Sequence, residues 1–313
     1  MVGVVQSSSN LQQLLGESLH RARLLLGKGK VFDSIPSLAQ VCPQRMGIAV
    51  YSVQQELLTV GDAYTPFSIQ SLSKLFSLTL ALQYEADTLW RRVGREPSGH
   101  LFNTLIQLDA ESGIPRNPFI NAGAILLCDI LASSNSSMPT DAMLRLLRRL
   151  SGNQTIQANT TVAIEEYDRG DRHRAMAYLM KSFDNFDNDV SRVLAAYFHH
   201  CAIEMNCVDL ARACIFLANR GRCPASGKEI LNPEQTRQFN ALMTTCGLYN
   251  GAGEFAYRVG LPAKSGVGGG IVAIVPDKMS ICVFAPELDQ HGNSLAGIRM
   301  LEYLAQSLGQ SIF

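Results

Sequence analysis

The chain has 313 residues, 47% of them hydrophobic and 17% charged, with a formal net charge of zero. That balance gives a globular protein with a sizeable core and excludes an intrinsically disordered one. With no basic stripe in the sequence, nucleic acid and anionic membranes are not expected as partners.

Residues 1–13 lack the basic and apolar regions of a secretory signal, and no apolar run reaches the roughly 20 residues needed to span a bilayer. Eight cysteines are scattered with no Cys-x-x-Cys and no histidine at zinc spacing. The expectation is a cytoplasmic, thiol-reduced protein without metal or other cofactor. Residues 10–26 carry leucines at helical spacing, and residues 46–61 read as two short strands joined by a polar turn. The run FSIQSLSKLFSLTLALQY (67–84) reads as a buried helix. Residues 94–120 are rich in Gly, Pro and Asn, which predicts a long ordered loop of the kind that shapes a pocket. From Asn121 to about Asn250 the pattern is mostly helical, several segments ending in glycine. GIVAIV and SICVFAP then predict two strands joined across Pro276-Asp277-Lys278, and a helix over 293–308 would cover the sheet. Strands near both ends with helices between them predict an α+β fold. The reading is one domain spanning 1–313, with an antiparallel sheet built from the N- and C-terminal segments and a helical insert over about 68–250.

Ser71 and Lys74 lie three residues apart, hence on one face of a helix, with Cβ atoms roughly 5–6 Å apart. A lysine amine one turn away can act as the base for a serine nucleophile, provided its pKa is depressed. Burial or a second cation would depress it, and Lys264 is the candidate cation. The chain has seven lysines, and only Lys74 has a serine three residues before it. Far downstream, GLPAKSGVGGGIVAIV (260–275) places Lys264, Ser265 and Gly266 at the start of an apolar strand. The two pieces recur together in acyl-serine enzymes of the β-lactamase and penicillin-binding type. The glycines at 266 and 268–270 leave room for backbone to approach a ligand closely.

Several segments carry a closer resemblance: GDAYTPFSIQSLSK (61–74), VGREPSGHLFN (93–103), GIPRNPFINAGAI (113–125), YFHHCAI (197–203), DLARACIFLANRG (209–221), CGLYNGAGEFA (246–256) and GLPAKSGVGGGI (260–271). In this order they resemble the serine-dependent glutaminases, which have the β-lactamase-like fold, over nearly the whole chain. The resemblance implies hydrolysis of L-glutamine to L-glutamate and ammonia through a γ-glutamyl ester on Ser71, with Lys74 as base. It implies that Gln70, Asn121, Glu166, His173, Tyr197 and Tyr249 bind the substrate, Tyr249 also relaying protons. It further implies that the amides of Ser71 and Val267 form an oxyanion hole, with Lys264, Ser265 and Gly266 in support. A homodimer or homotetramer is the assembly it suggests.

Taken alone, these residues have plainer readings. Asn121 reads as a helix N-cap, Glu166 as surface charge, and Tyr197 and Tyr249 as half-buried fillers. His199 and His200 face different directions on a helix and make a poor metal pair. The chain departs from the family pattern at Ser34, where a substrate-contacting tyrosine is usual, and at His173, where an asparagine is usual. Glu165 stands in place of a serine, and Tyr64 in place of an aspartate. Two lost substrate hydrogen bonds would together cost up to roughly a hundredfold in affinity, or mark a different substrate. The alternatives are a related amidase of altered preference, a β-lactam- or peptide-acting relative, and a glutamine-binding sensor without turnover. The NAGAI and YFHHCAI segments argue against the β-lactam branch.

Overall fold

Strands that are apolar on both faces need a layer of helix on each side, and this chain supplies both. The computed structural model describes residues 8–99, 104–133 and 139–313. In the first part of the chain lie α1 (Ser8–Ala22), β1 (Lys30–Val31), α2 (Pro36–Ala39), β2 (Gly47–Ser52), β3 (Leu57–Gly61) and β4 (Phe67–Ser68). The helical middle comprises α3 (Ser73–Arg92), α4 (Ile106–Ala110), α5 (Asn121–Ser133), α6 (Pro139–Ser151), β5 (Gln157–Ala158), α7 (Thr160–Asp168), α8 (Asp171–Ser182), α9 (Val190–Cys201), β6 (Ile203–Met205), α10 (Cys207–Ala218) and α11 (Pro233–Cys246). The chain closes with α12 (Ala252–Arg258), β7 (Ala263–Ser265), β8 (Gly270–Val275), β9 (Met279–Phe284), β10 (Glu287–Leu288) and α13 (Leu295–Leu308).

The main sheet has the order β3-β2-β9-β8-β7, every neighbour antiparallel. Alternate residues serve two cores. Ile48, Val50, Ile271, Ala273, Ile281 and Val283 face the cluster built with α1 and α13. Ala49, Val272, Ile274, Cys282 and Phe284 belong to the larger cluster on the other face, where α10 lies across β2, β8 and β9. A slip of one residue in register would exchange the two sets, so the pattern pins the pairing. Each Val or Ile buried there contributes about 1.5–3 kcal/mol. The fold is α+β, as the strand and helix pattern implies.

The predicted helix over 67–84 is divided. Phe67–Ser68 pairs as β4 with β6, Gln70–Leu72 forms a 3-10 turn, and the α-helix begins only at Ser73. The reason is tertiary. The Ile69 amide donates to Ile203 O at 2.8 Å, and the Phe67 ring stacks on Phe284 at 4.3 Å, so the segment is held by two sheets before it coils. Beyond it, Asp129 on α5 is fully buried and accepts from Arg92 Nη2 (2.8 Å) and the amides of Asp187 (3.1 Å) and Asn188 (2.9 Å). A buried carboxylate with this many donors is satisfied, and it fixes α5 against the end of α3. The 94–120 segment is mostly irregular, with α4 inside it; residues 100–103 lie outside the described residues. Helix α7 falls inside the stretch read as mostly helical. It is started by Asn159, whose side chain accepts from the Val162 amide at 3.2 Å.

Candidate active site

Ser71 lies in the 3-10 turn between β4 and α3, preceded by Gln70 in the left-handed region at φ 48°. A non-glycine residue there is strained, and strain of this kind persists only where the surroundings enforce it. The enforcement is visible in the turn after Lys264. A Cβ on Gly266 would meet Ile69 O at 2.7 Å, and one on Gly268 would meet Ser68 O at 2.1 Å. The room made by these glycines is therefore used first by the backbone around the serine, a correction to the expectation that it serves the ligand. A Cβ on Gly266 would also lie 3.3 Å from the Ser71 amide nitrogen, so the turn that carries Val267 closes over the backbone of the serine.

Lys74 is 1% exposed, with its amine donating to Phe119 O at 3.0 Å and to Asn121 Oδ1 at 2.8 Å. Burial is the main cause that lowers its pKa to about 8, while Cys201, Cys128 and Glu166 pull the other way. The sequence left burial and Lys264 both open as the cause; burial is what acts. Lys264 is itself pushed well below the usual ammonium range, by burial first and by Lys74 second. Its amine sits 4.3 Å from the centre of the Tyr249 ring, and Lys74 lies 5.9 Å from the same ring. Tyr249, also left-handed at φ 51°, has its phenol pushed up by burial and pulled back by a hydrogen bond with Ser71.

Asn121 is the first residue of α5, yet its side chain does not cap the helix. Asn117 takes the local role, accepting from the amides of Phe119 (3.0 Å) and Ile120 (3.1 Å). Asn121 Oδ1 instead accepts from Lys74 and from the Tyr197 hydroxyl (3.3 Å), which turns Nδ2 toward His173 Nε2 at 3.1 Å. Because Nδ2 can only donate, His173 Nε2 must accept, and the ring proton resides on Nδ1. Burial pushes the His173 pKa down to about 4, so the ring is neutral. Its ring lies 5.5 Å from that of Tyr197.

Glu166 on α7 is buried rather than a surface charge, and its Oε1 accepts from Gln70 Nε2 at 2.7 Å. Burial raises its pKa to about 7, against the opposing pull of Gln70 and Lys74. Tyr197 is 4% exposed, more deeply placed than a half-buried filler. Thus Ser71, Lys74, Gln70, Asn121, Glu166, His173, Tyr197, Tyr249, Val267 and the Lys264-Ser265-Gly266 turn all gather at the junction of the two sheets and the α5, α7, α8 and α9 helices. His200 points elsewhere: its Nδ1 lies 3.5 Å from Ser77 Oγ and from Cys128 Sγ in the core. Among the described residues no three His, Cys, Asp or Glu side chains are grouped to hold a metal ion, and no helix is long and apolar enough to cross a membrane.

A glutaminase family model matches residues 29–313. A glutaminase of Shewanella loihica is 55% identical over 303 residues, 96% of this chain and 99% of its own length. One from Shewanella baltica is 57% identical over 301 residues, 96% of this chain and 98% of that one. The solved structure of a probable glutaminase, YbaS, superposes with a TM-score of 0.93 at 33% identity, covering 98% of this chain and 99% of that chain. A probable glutaminase from Bacillus subtilis, solved with 6-diazo-5-oxo-L-norleucine, gives 0.87 at 30% identity over the full length of both chains. A serine-lysine site in a β-lactamase-like fold defines the class. The chain belongs to the glutaminase family.

The family departures have visible settings. Ser34 is exposed in the bend before α2, and Glu165 Oε2 accepts from the Ser37 amide at 2.9 Å, tying α2 to α7 next to Glu166. Exposed Tyr64 lies in the turn before β4. At His173 an asparagine would offer both a donor and an acceptor, whereas the ring's acceptor is already used by Asn121. His173→Asn is expected to lower KM for L-glutamine about fivefold with little change in kcat, the effect of roughly one hydrogen bond; steady-state kinetics would check it. The carbonyl of Phe119, the turn-forming Asn117 and the distant Asn293 were not singled out from the sequence. Asn117 and Phe119 lie inside the NPFIN stretch that carries the resemblance, which was the available signal.

Proposed function

We propose that this glutaminase hydrolyses L-glutamine to L-glutamate and ammonia through a γ-glutamyl ester on Ser71. The observation that carries the reading is the Lys74 amine, buried one turn from Ser71, held by two oxygen acceptors, with a pKa near 8. In its neutral form Lys74 takes the Ser71 proton as Oγ attacks the side-chain amide carbon. The oxyanion then lies against the amides of Ser71 and Val267, each contributing about 3 kcal/mol to the transition state. Collapse expels ammonia, the leaving nitrogen receiving its proton by way of Lys74 and Tyr249. Water next attacks the ester, Lys74 takes the water's proton and passes it to Ser71 Oγ as the ester bond breaks, and glutamate leaves.

An amino-acid substrate is zwitterionic, so its pocket needs a carboxylate for the ammonium and donors for the carboxylate. Glu166, oriented by Gln70, answers the first need. Asn121, Tyr197, Tyr249 and His173 answer the second, and Lys264, Ser265 and Gly266 hold the oxyanion turn. The whole chain acts as one catalytic unit without a cofactor, in the cytoplasm, as a homodimer or homotetramer. A second reading, an amidase of shifted preference, rests on Ser34 and His173.

The test is ammonia release from L-glutamine, L-asparagine, D-glutamine and γ-glutamyl amides, with hydroxylamine added in a parallel series. Best turnover of L-glutamine, with γ-glutamyl hydroxamate formed when hydroxylamine intercepts the ester, supports the proposal. Preference for another amide favours the second reading. Binding of glutamine without any release would leave a sensor.

A further inference from the structure

Asn293 sits in the turn between β10 and α13, far in sequence from every residue assigned above, and is fully buried. Its side chain makes two bonds in opposite directions. Oδ1 accepts from Ser265 Oγ at 2.6 Å, and Nδ2 donates to Leu248 O at 3.3 Å. One partner follows Lys264 and the other precedes Tyr249. An amide in this orientation accepts on one side and donates on the other.

The turn that presents Asn293 is itself fixed. Asp289 N–H donates to Asn293 O at 2.8 Å, and Asn293 N–H donates to Asp289 Oδ1 at 3.0 Å. Ser294 then caps α13 through the Gly297 amide (3.1 Å) and donates to Ala285 O at 2.6 Å. A Cβ on Gly251 would meet Asn293 Nδ2 at 2.9 Å, so the segment carrying Tyr249 wraps closely around the amide. The same two strips of chain meet again where Ser265 N–H donates to Gly247 O at 3.2 Å. Lys264 donates in turn to Ser265 O at 2.5 Å.

We infer that Asn293 is a positioning residue for the glutaminase reaction, clamping the Ser265 strand end to the Tyr249 turn so that the phenol stays over the Lys264 amine and against Ser71. The inference rests on the function proposed above. Asn293 touches neither nucleophile nor base. Its effect passes through Ser265 on one side and Leu248 on the other, and it sets the distance between groups that move protons. Loosening the clamp by a fraction of an ångström should slow the chemical steps while leaving the Glu166 side of the pocket intact.

The experiment compares wild type with Asn293→Ala, Asn293→Asp, Ser265→Ala and the Ser265→Ala/Asn293→Ala double variant. It records kcat and KM for L-glutamine, the Kd of L-glutamate by calorimetry, and the melting temperature. Asn293→Asp keeps the shape and the acceptor for Ser265 but places an oxygen opposite the Leu248 carbonyl. The expected result is a fall in kcat of about 10- to 100-fold in both Asn293 variants, with Kd unchanged within about threefold. The double variant should be no slower than Asn293→Ala, because either single change opens the same bridge. Wild-type kcat in Asn293→Asp, or losses that multiply in the double variant, would overturn the inference. Should Asn293→Ala fail to fold, Asn293→Asp and Ser265→Ala still decide it. If wild type itself releases no ammonia, the proposed function falls. The clamp is then read from amide hydrogen exchange over residues 247–251, which speeds up in Asn293→Asp if the bridge exists and stays at the wild-type rate if it does not.

Discussion

Ser71→Ala is expected to reduce kcat for ammonia release by about 10⁴- to 10⁶-fold, the range found when an acyl-forming serine is removed. Binding should survive. The serine is partly exposed at the end of a turn that other contacts hold: the Ile69 amide on Ile203, and the glycine turn against Ser68 and Ile69. Removing one oxygen leaves those contacts in place, so the Kd for L-glutamate should stay within about threefold by calorimetry. No γ-glutamyl hydroxamate should form with hydroxylamine. Retained turnover would show that another group carries the acyl chain.

Lys74→Met is expected to lower kcat by about 10³- to 10⁴-fold, the upper range for loss of a general base. The substitution keeps the volume but strips a donor from Phe119 O and Asn121 Oδ1, both deep in the protein. Each buried acceptor left without a partner costs about 1–3 kcal/mol, so the melting temperature should fall as well. The pH profile separates the two effects. In wild type Lys74 must be neutral to act and Glu166 must be ionised to hold an ammonium. Activity should therefore rise with pH, through about 7 as Glu166 ionises and through about 8 as Lys74 loses its proton. In Lys74→Met the limb near 8 disappears. The Glu166 limb remains and moves upward, because the cation that favoured its charged form is gone. A profile unchanged in shape would remove Lys74 from the role of base.

What could be read from the sequence was mostly local. The Ser71–Lys74 spacing, the two-faced apolar strands and the hairpin turn at Pro276-Asp277-Lys278 are written in short stretches, and the structure reproduces them. The 3-10 turn at Ser71 was not legible, since its cause lies in Ile203 and Phe284. Asn121 read as a cap because nothing local shows that Asn117 has taken that work and freed it to face Lys74. Glu166 read as surface charge because its neighbours are acidic, although the partner that orients it is Gln70, almost a hundred residues away. Asn293 carries no local sign at all: its meaning lies in two strips of chain that only the closed sheet brings together.

The order of strands also sets a timetable for synthesis. Strand β2 pairs with β9 along its whole length, from Gly47 opposite Phe284 to Ser52 opposite Met279. More than two hundred residues are translated between them. At 5–20 residues per second, β2 waits roughly 10–45 s for its partner. Once α10 is made, β2 is the one strand of the three it packs on that is already present, and β8 and β9 are still to come. A product truncated before Met279 therefore carries Ser71 and Lys74 but lacks β9, the strand that joins β2 to β8.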